Sequence, residues 1–177
     1  MRLVAVAATV AVSLAFAIEG TLPAWAATAT YYSVDAESDP PMVIDIRQGS
    51  HDNRAQAILY HWHGGTNQRW TKQRLGEDAN GHPVYRFVNA ESHMCLDKSL
   101  DVPDADGNAV YQYGCNDGLN QEWAQVSTRF GRNGWDNLVN QSDGRCLDVD
   151  GPNLADGAAL HVWHCYDTWS QRWNIED

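Results

Sequence analysis

Lysine is almost missing from this 177-residue chain, which has only Lys72 and Lys98, and its 12 basic residues face 23 acidic ones for a formal net charge of −11. Such a chain cannot supply the phosphate-neutralising contacts that dominate nucleic-acid affinity, and anionic membrane surfaces repel it. No Cys-x-x-Cys is present, so the recognisable zinc spacings are absent. No Gly-x-Ser-x-Gly marks a hydrolase nucleophile. No apolar period of 3.6 residues persists long enough for a helix, and nothing beyond the N-terminus approaches the roughly 20 apolar residues that span a bilayer. What is present is an ordinary globular proportion of hydrophobic residues, 44%, and an unusual supply of tryptophan, with 8 copies.

The N-terminus reads as an export signal over residues 1–26. Arg2 gives a positive start, Leu3 to Ile18 form an apolar and small-residue run, and Ala24-Trp25-Ala26 offers a small-x-small cleavage site. The run is too short for a membrane anchor and is followed at once by Glu19, Gly20 and Pro23. The expected product is a secreted, extracellular chain of residues 27–177 with no membrane insertion, in a compartment where disulfides persist.

That mature chain is a threefold repeat, with units at about 29–80, 81–131 and 132–177. Gln68-Arg69-Trp70, Gln121-Glu122-Trp123 and Gln171-Arg172-Trp173 are three copies of Gln-x-Trp. Val43-Ile44-Asp45, Cys95-Leu96-Asp97 and Cys146-Leu147-Asp148 repeat in the same register, as do Val34-Asp35-Ala36-Glu37-Ser38, Val88-Asn89-Ala90-Glu91-Ser92 and, more loosely, Val139-Asn140-Gln141-Ser142. Within each unit short apolar runs alternate with turn signals, a strand pattern that predicts an all-β domain. Asp52-Asn53-Arg54, Ala105-Asp106-Gly107 and Ala155-Asp156-Gly157 each precede a strand. In those strands the two-residue period places Ala57 and Leu59, Val110 and Gln112, and Leu160 and Val162 on the buried face. Ile58 and Tyr60, Tyr111 and Tyr113, and His161 and Trp163 then face outward.

Four cysteines allow three connectivities, and the repeat favours pairing within units, Cys95 with Cys115 and Cys146 with Cys165. The first unit has Val43 and Trp62 at the matching places, an apolar pair that suggests a buried position.

Three units of this length, each with (Cys)-Leu-Asp near its start and Gln-x-Trp near its end, resemble ricin B-type lectin domains over essentially the whole mature chain. The resemblance implies a β-trefoil with up to one shallow sugar pocket per unit and no cofactor. It also implies that Trp70, Trp123 and Trp173 are core and that the accompanying glutamines buttress the fold. A pyranose presents hydroxyls that donate and accept and a patch of C–H bonds, so its pocket needs a carboxylate, a polar partner and an aromatic face. The first unit offers Asp45, Tyr60, His63 and Asn67, and the second Asp97, Tyr113, Asn116 and Asn120. The third offers Asp148, Trp163 and Tyr166, with Ser170 where the others have asparagine.

Each choice has a plainer competitor. The repeated aspartates can cap turns, and the aromatics can be strand formers. The histidine pairs lack a third metal ligand at a recognisable spacing. Asp101, Asp104 and Asp106 before Gly107 have the look of a calcium loop, but Val102 falls at its first ligand position. A glycosidase needs two carboxylates singled out as a pair, and none is evident here. The sequence therefore predicts a non-catalytic lectin for galactose-like or xylan-like glycans, with or without an enzyme or toxin partner subunit. A protein-binding trefoil, such as a protease inhibitor or toxin-associated subunit, is the alternative. Trp135 and Trp169 have no assigned role.

Overall fold

The protein is described by a computed structural model over residues 28–33, 42–128, 135–151, 154–166 and 168–176. The expected export signal and the landmark at residues 34–38 lie outside the described residues.

Six strands close into a barrel: β1 (Thr28–Ser33), β4 (Arg69–Glu77), β5 (Pro83–Asn89), β8 (Trp123–Ser127), β9 (Trp135–Asn140) and β12 (Trp173–Glu176). They pair antiparallel in the order β1, β4, β5, β8, β9, β12 and back to β1, so the ring exposes no unpaired edge. The other six form three hairpins: β2 (Met42–Ile46) with β3 (Ala57–His61), β6 (Cys95–Lys98) with β7 (Asn108–Tyr113), and β10 (Cys146–Val149) with β11 (Ala158–Trp163). The hairpins meet one another, since β11 pairs with both β3 and β7, and Gln56 bridges Tyr111. A six-stranded barrel with a triplet of hairpins is a β-trefoil, the fold that the resemblance to ricin B-type lectin domains implied.

The hairpin tips show why their residues recur. Arg54, Gly107 and Gly157 all have positive φ, +69°, +85° and +84°. In that conformation each N–H reaches a carbonyl of another hairpin: Gln112 at 2.7 Å, Val162 at 2.9 Å and Leu59 at 2.8 Å. Glycine accepts the conformation freely, whereas at Arg54 it costs about 1 kcal/mol.

The strand alternation holds for the inward face, where Ala57, Leu59, Val110, Gln112, Leu160 and Val162 are all buried. Gln112 is tolerated there because its amide donates to the Ser50 and Asp52 carbonyls and its oxygen accepts from Ser92 Oγ at 2.6 Å. The outward face is not uniformly outward. Ile58 and Tyr111 are buried too, because Ala159 pairs opposite Ile58 and Gln56 opposite Tyr111. Strand alternation assumes one wet face, and hairpin-to-hairpin contact removes it for the residues nearest the axis.

Trp70, Trp123 and Trp173 are fully buried at the barrel centre. Their indole N–H groups donate to the carbonyls of Ile44, Leu96 and Leu147, at 3.2, 3.1 and 3.0 Å. Both disulfides pair within units, Cys95 with Cys115 and Cys146 with Cys165. In the first unit Val43 is fully buried as expected, but Trp62 is only half-buried, with the Arg69 guanidinium 6.0 Å from its ring centre. Of the two lysines, Lys98 is buried where the other repeats have Ile46 and Val149, its Nζ 2.5 Å from the equally buried Asp143. Such a pair survives burial only because each charge finds its partner. Lys72 lies with its Nζ 4.9 Å from the Tyr85 ring centre.

Candidate functional site

Each hairpin opens with a core residue followed by an aspartate. Ile44, Leu96 and Leu147 point into the core, so the two-residue period turns Asp45, Asp97 and Asp148 to the opposite face. These carboxylates are nearly covered, at 3%, 2% and 7% exposure, and each forms part of the wall of a surface pocket.

The motif glutamines hold the loops that complete those pockets. Gln68, Gln121 and Gln171 accept from the backbone N–H of His63, Asn116 and Tyr166, at 2.9, 2.8 and 2.9 Å. Their amides donate to the carbonyls of His61, Gly114 and His164. Gln121 and Gln171 also donate to Asp97 and Asp148, each at 2.7 Å. One buried side chain per repeat therefore ties the pocket floor to the pocket loop.

The first pocket, about 680 Å³, brings together all four residues expected from the sequence: Asp45, Tyr60, His63 and Asn67. Asp45 Oδ2 accepts from Asn67 Nδ2 at 2.9 Å and lies 3.3 Å from His63 Nε2. Burial pushes the Asp45 carboxyl up, against opposing hydrogen bonds and charge from Gln68, His63 and Asn67. The second pocket, about 340 Å³, likewise collects Asp97, Tyr113, Asn116 and Asn120. Here Asn120 donates to the Lys98 carbonyl at 3.0 Å, and burial pushes Asp97 up to about 6. The third, about 320 Å³, collects Asp148, Trp163, Tyr166 and Ser170.

The change from asparagine to Ser170 has a partner in space. A Cβ on Gly65 would lie 2.4 Å from Asn67 Oδ1, and one on Gly118 would lie 2.5 Å from Asn120 Oδ1. Neither glycine has positive φ, so they are needed for room and not for backbone freedom. In the third repeat the shorter Ser170 vacates that room and Thr168 occupies the glycine position, its hydroxyl 3.0 Å from Ser170 Oγ.

Sequence reasoning missed what each repeat lends to the next. The hairpin-tip residues Asn53, Asp106 and Asp156 accept from the backbone N–H of Gly114, His164 and His61, at 2.8, 2.9 and 2.8 Å. Those tips bring Arg54 to the second pocket and Gly157 to the first. Arg47, Glu91 and Asp150 also line pockets without having been proposed as site residues, and Asp101, considered only as part of a calcium loop, lines the second. The recurring Asn or Asp at the tip was the available signal. Of the unassigned tryptophans, Trp135 opens β9 half-buried, and Trp169 is exposed and does not line the third pocket. Among the described residues no group of three or more His, Cys, Asp or Glu side chains is placed to hold a metal ion, and no helix is long and apolar enough to cross a membrane.

A family model described as a ricin-type β-trefoil lectin domain-like domain matches residues 24–99, 66–163 and 129–177. Among solved structures the chain is similar to a designed threefold-symmetric protein, ThreeFoil. Identity is 27%, TM-score is 0.73, and the match covers 85% of this chain and 98% of that one. It is similar to the ricin B-like lectin of Macrolepiota procera, solved with lactose, at 22% identity and TM-score 0.65, over 88% of this chain and 99% of that one. The match to an exo-β-1,3-galactanase from Clostridium thermocellum, at 24% identity and TM-score 0.71, covers 84% of this chain but only 29% of the enzyme. No curated protein sequence matches the chain.

Proposed function

This chain belongs to the ricin-type β-trefoil lectin domain-like family, and on that premise we propose that it is a secreted, non-catalytic lectin. Its ligands are galactose-like or xylan-like glycans, held in up to three shallow pockets. The observation that carries this reading is the recurrence, in each repeat, of a nearly buried carboxylate beside an accessible aromatic ring: Asp45 with Tyr60, Asp97 with Tyr113, and Asp148 with Trp163. A carboxylate that accepts from sugar hydroxyls and a ring that stacks on sugar C–H bonds are the two groups a pyranose face needs.

Burial disfavours the charge on Asp45 and Asp97. These carboxylates accept from Asn67 and Gln121, and groups so perturbed concentrate at functional sites. The lactose bound by the Macrolepiota procera lectin supports a galactose-type ligand. The two intra-repeat disulfides support export, since such bonds persist outside the cytoplasm. Single pockets this open bind weakly, and engaging repeated glycans through more than one adds about 10²-fold or more in avidity.

A glycan array carrying galactosides and xylo-oligosaccharides tests the reading. Binding to one of these classes is the expected result. An array without a hit, together with measurable binding to a protease, would replace the lectin by a protein-binding trefoil.

A further inference from the structure

Arg54 stands where the other two hairpins carry glycine. All three tips adopt the left-handed conformation and make the same backbone hydrogen bond to a neighbouring hairpin. Glycine satisfies that requirement without strain at Gly107 and Gly157, so the backbone gives no reason for an arginine at position 54. Strain retained against an available unstrained residue points to the side chain.

That side chain crosses from the first repeat to the second. Its Nη2 donates to Asp101 Oδ2, and the guanidinium lies 5.1 Å from the Tyr111 ring centre. Arg54 and Asp101 both line the second pocket, with Asp97, Tyr113, Asn116 and Asn120. The pair is open to solvent, at 51% and 60% side-chain exposure, and a surface ion pair of that kind contributes little to stability. Stability therefore does not account for the strain either. A guanidinium presents five N–H donors and a carboxylate several acceptor sites, so the pair keeps donors and acceptors to offer after meeting each other.

We propose that Arg54 is a specificity-determining residue of the second pocket, supplied by the first repeat, and that with Asp101 it hydrogen-bonds neighbouring hydroxyls of a neutral sugar. The inference rests on the carbohydrate reading above. The neutral class follows from charge: among the described residues Arg54 is the one Lys or Arg lining this pocket, where it faces the carboxylates of Asp97 and Asp101, so a sugar carrying a carboxylate or sulfate meets an unfavourable balance. The other pockets have no counterpart at the tip position. Gly157 and Gly107 replace the arginine, and the Arg47 of the first pocket comes from its own repeat and donates to the Gly157 carbonyl at 3.3 Å.

Arg54→Gly is a clean test because it installs the residue the other tips already use. Its unfolding midpoint is expected to equal or exceed that of the wild type. Titrations with lactose, xylobiose and glucuronate, followed by the amide resonances of Gly114 and Asn116 for the second pocket, Gly65 for the first and Thr168 for the third, read each pocket separately. In Arg54→Gly the affinity for the better neutral sugar should fall at least tenfold at Gly114 and Asn116, the effect of losing charge-assisted hydrogen bonds, and change less than twofold at the other reporters. Arg54→Lys should recover only part of the loss, since an ammonium is a point donor without the planar fork. Unchanged affinity at the second pocket would overturn the inference, and so would an equal loss at all three pockets, which would mean that the residue acts through the fold. Glucuronate binding there more tightly than either neutral sugar would overturn the ligand class. An absence of shifts in the wild type with every sugar would overturn the carbohydrate reading, and this inference with it.

Discussion

The two ends of the repeated Gln-x-Trp segment obey different rules. At the barrel end, Trp70, Trp123 and Trp173 are all fully buried and make the same hydrogen bond to the residue before a pocket aspartate. Three residues upstream, at the pocket end, Ser170 replaces the asparagine of Asn67 and Asn120, and the neighbours His63, Asn116 and Tyr166 all differ. A close-packed barrel centre accepts one side chain shape, whereas a pocket open to solvent tolerates several. The fold is thus repeated three times, while each pocket is individual.

Truncation to alanine should affect the two ends differently. Trp123→Ala should cost about 3–5 kcal/mol in chemical denaturation, the usual loss for a large core aromatic. Trp163→Ala, at an exposed pocket position, should change stability by only about 0.5 kcal/mol and instead weaken glycan binding. Equal stability losses would erase the distinction. Gln121 joins the two ends, since its bonds reach Asp97, Gly114 and Asn116. Gln121→Ala should cost about 1–3 kcal/mol and also abolish binding at the second pocket, a double effect visible by combining denaturation with ligand titration.

The pocket end also responds to acidity. Asp97 is raised by burial from 3.8 to about 6, so between those values the native state holds a proton that the unfolded state has released. Its contribution to stability therefore declines as pH rises from about 4 to 6, and binding at the second pocket should strengthen over the same interval as the acceptor ionises. Denaturation and titration at pH 4.5 and 7.5, in the wild type and in Asp97→Asn, would separate the two trends: in Asp97→Asn the binding trend at the second pocket should vanish and the stability trend should shrink to what Asp45 and the other groups contribute. The smallest effect is expected from Gly118→Ala. The added methyl meets Asn120 Oδ1, so second-pocket affinity should drop a few-fold, while Thr168→Ala leaves the third pocket nearly unchanged.

What each unit does for itself was legible in the sequence. Matching Gln-x-Trp, Leu-Asp or Ile-Asp, and turn residues located the repeats, and period-two alternation found the inward residues of the hairpin strands. What one unit does for the next was not. The burial of Ile58 and Tyr111, the reach of Arg54 into the second pocket, and the Lys98 pair with Asp143 all depend on how three hairpins close around an axis. A repeat read along the chain carries no record of that closure. The glycines at 65 and 118 illustrate the limit, since in sequence they resemble ordinary turn residues and only the position of the asparagine two residues later shows that they are there for space.

The claim that the buried carboxylates face sugar is tested by retention on a polysaccharide column bearing the preferred glycan. Asp45→Ala combined with Asp97→Ala removes two acceptors and two unfavourably buried charges, so the variant should keep the wild-type circular dichroism spectrum while losing most of its retention. Full retention by a folded double variant would contradict the account.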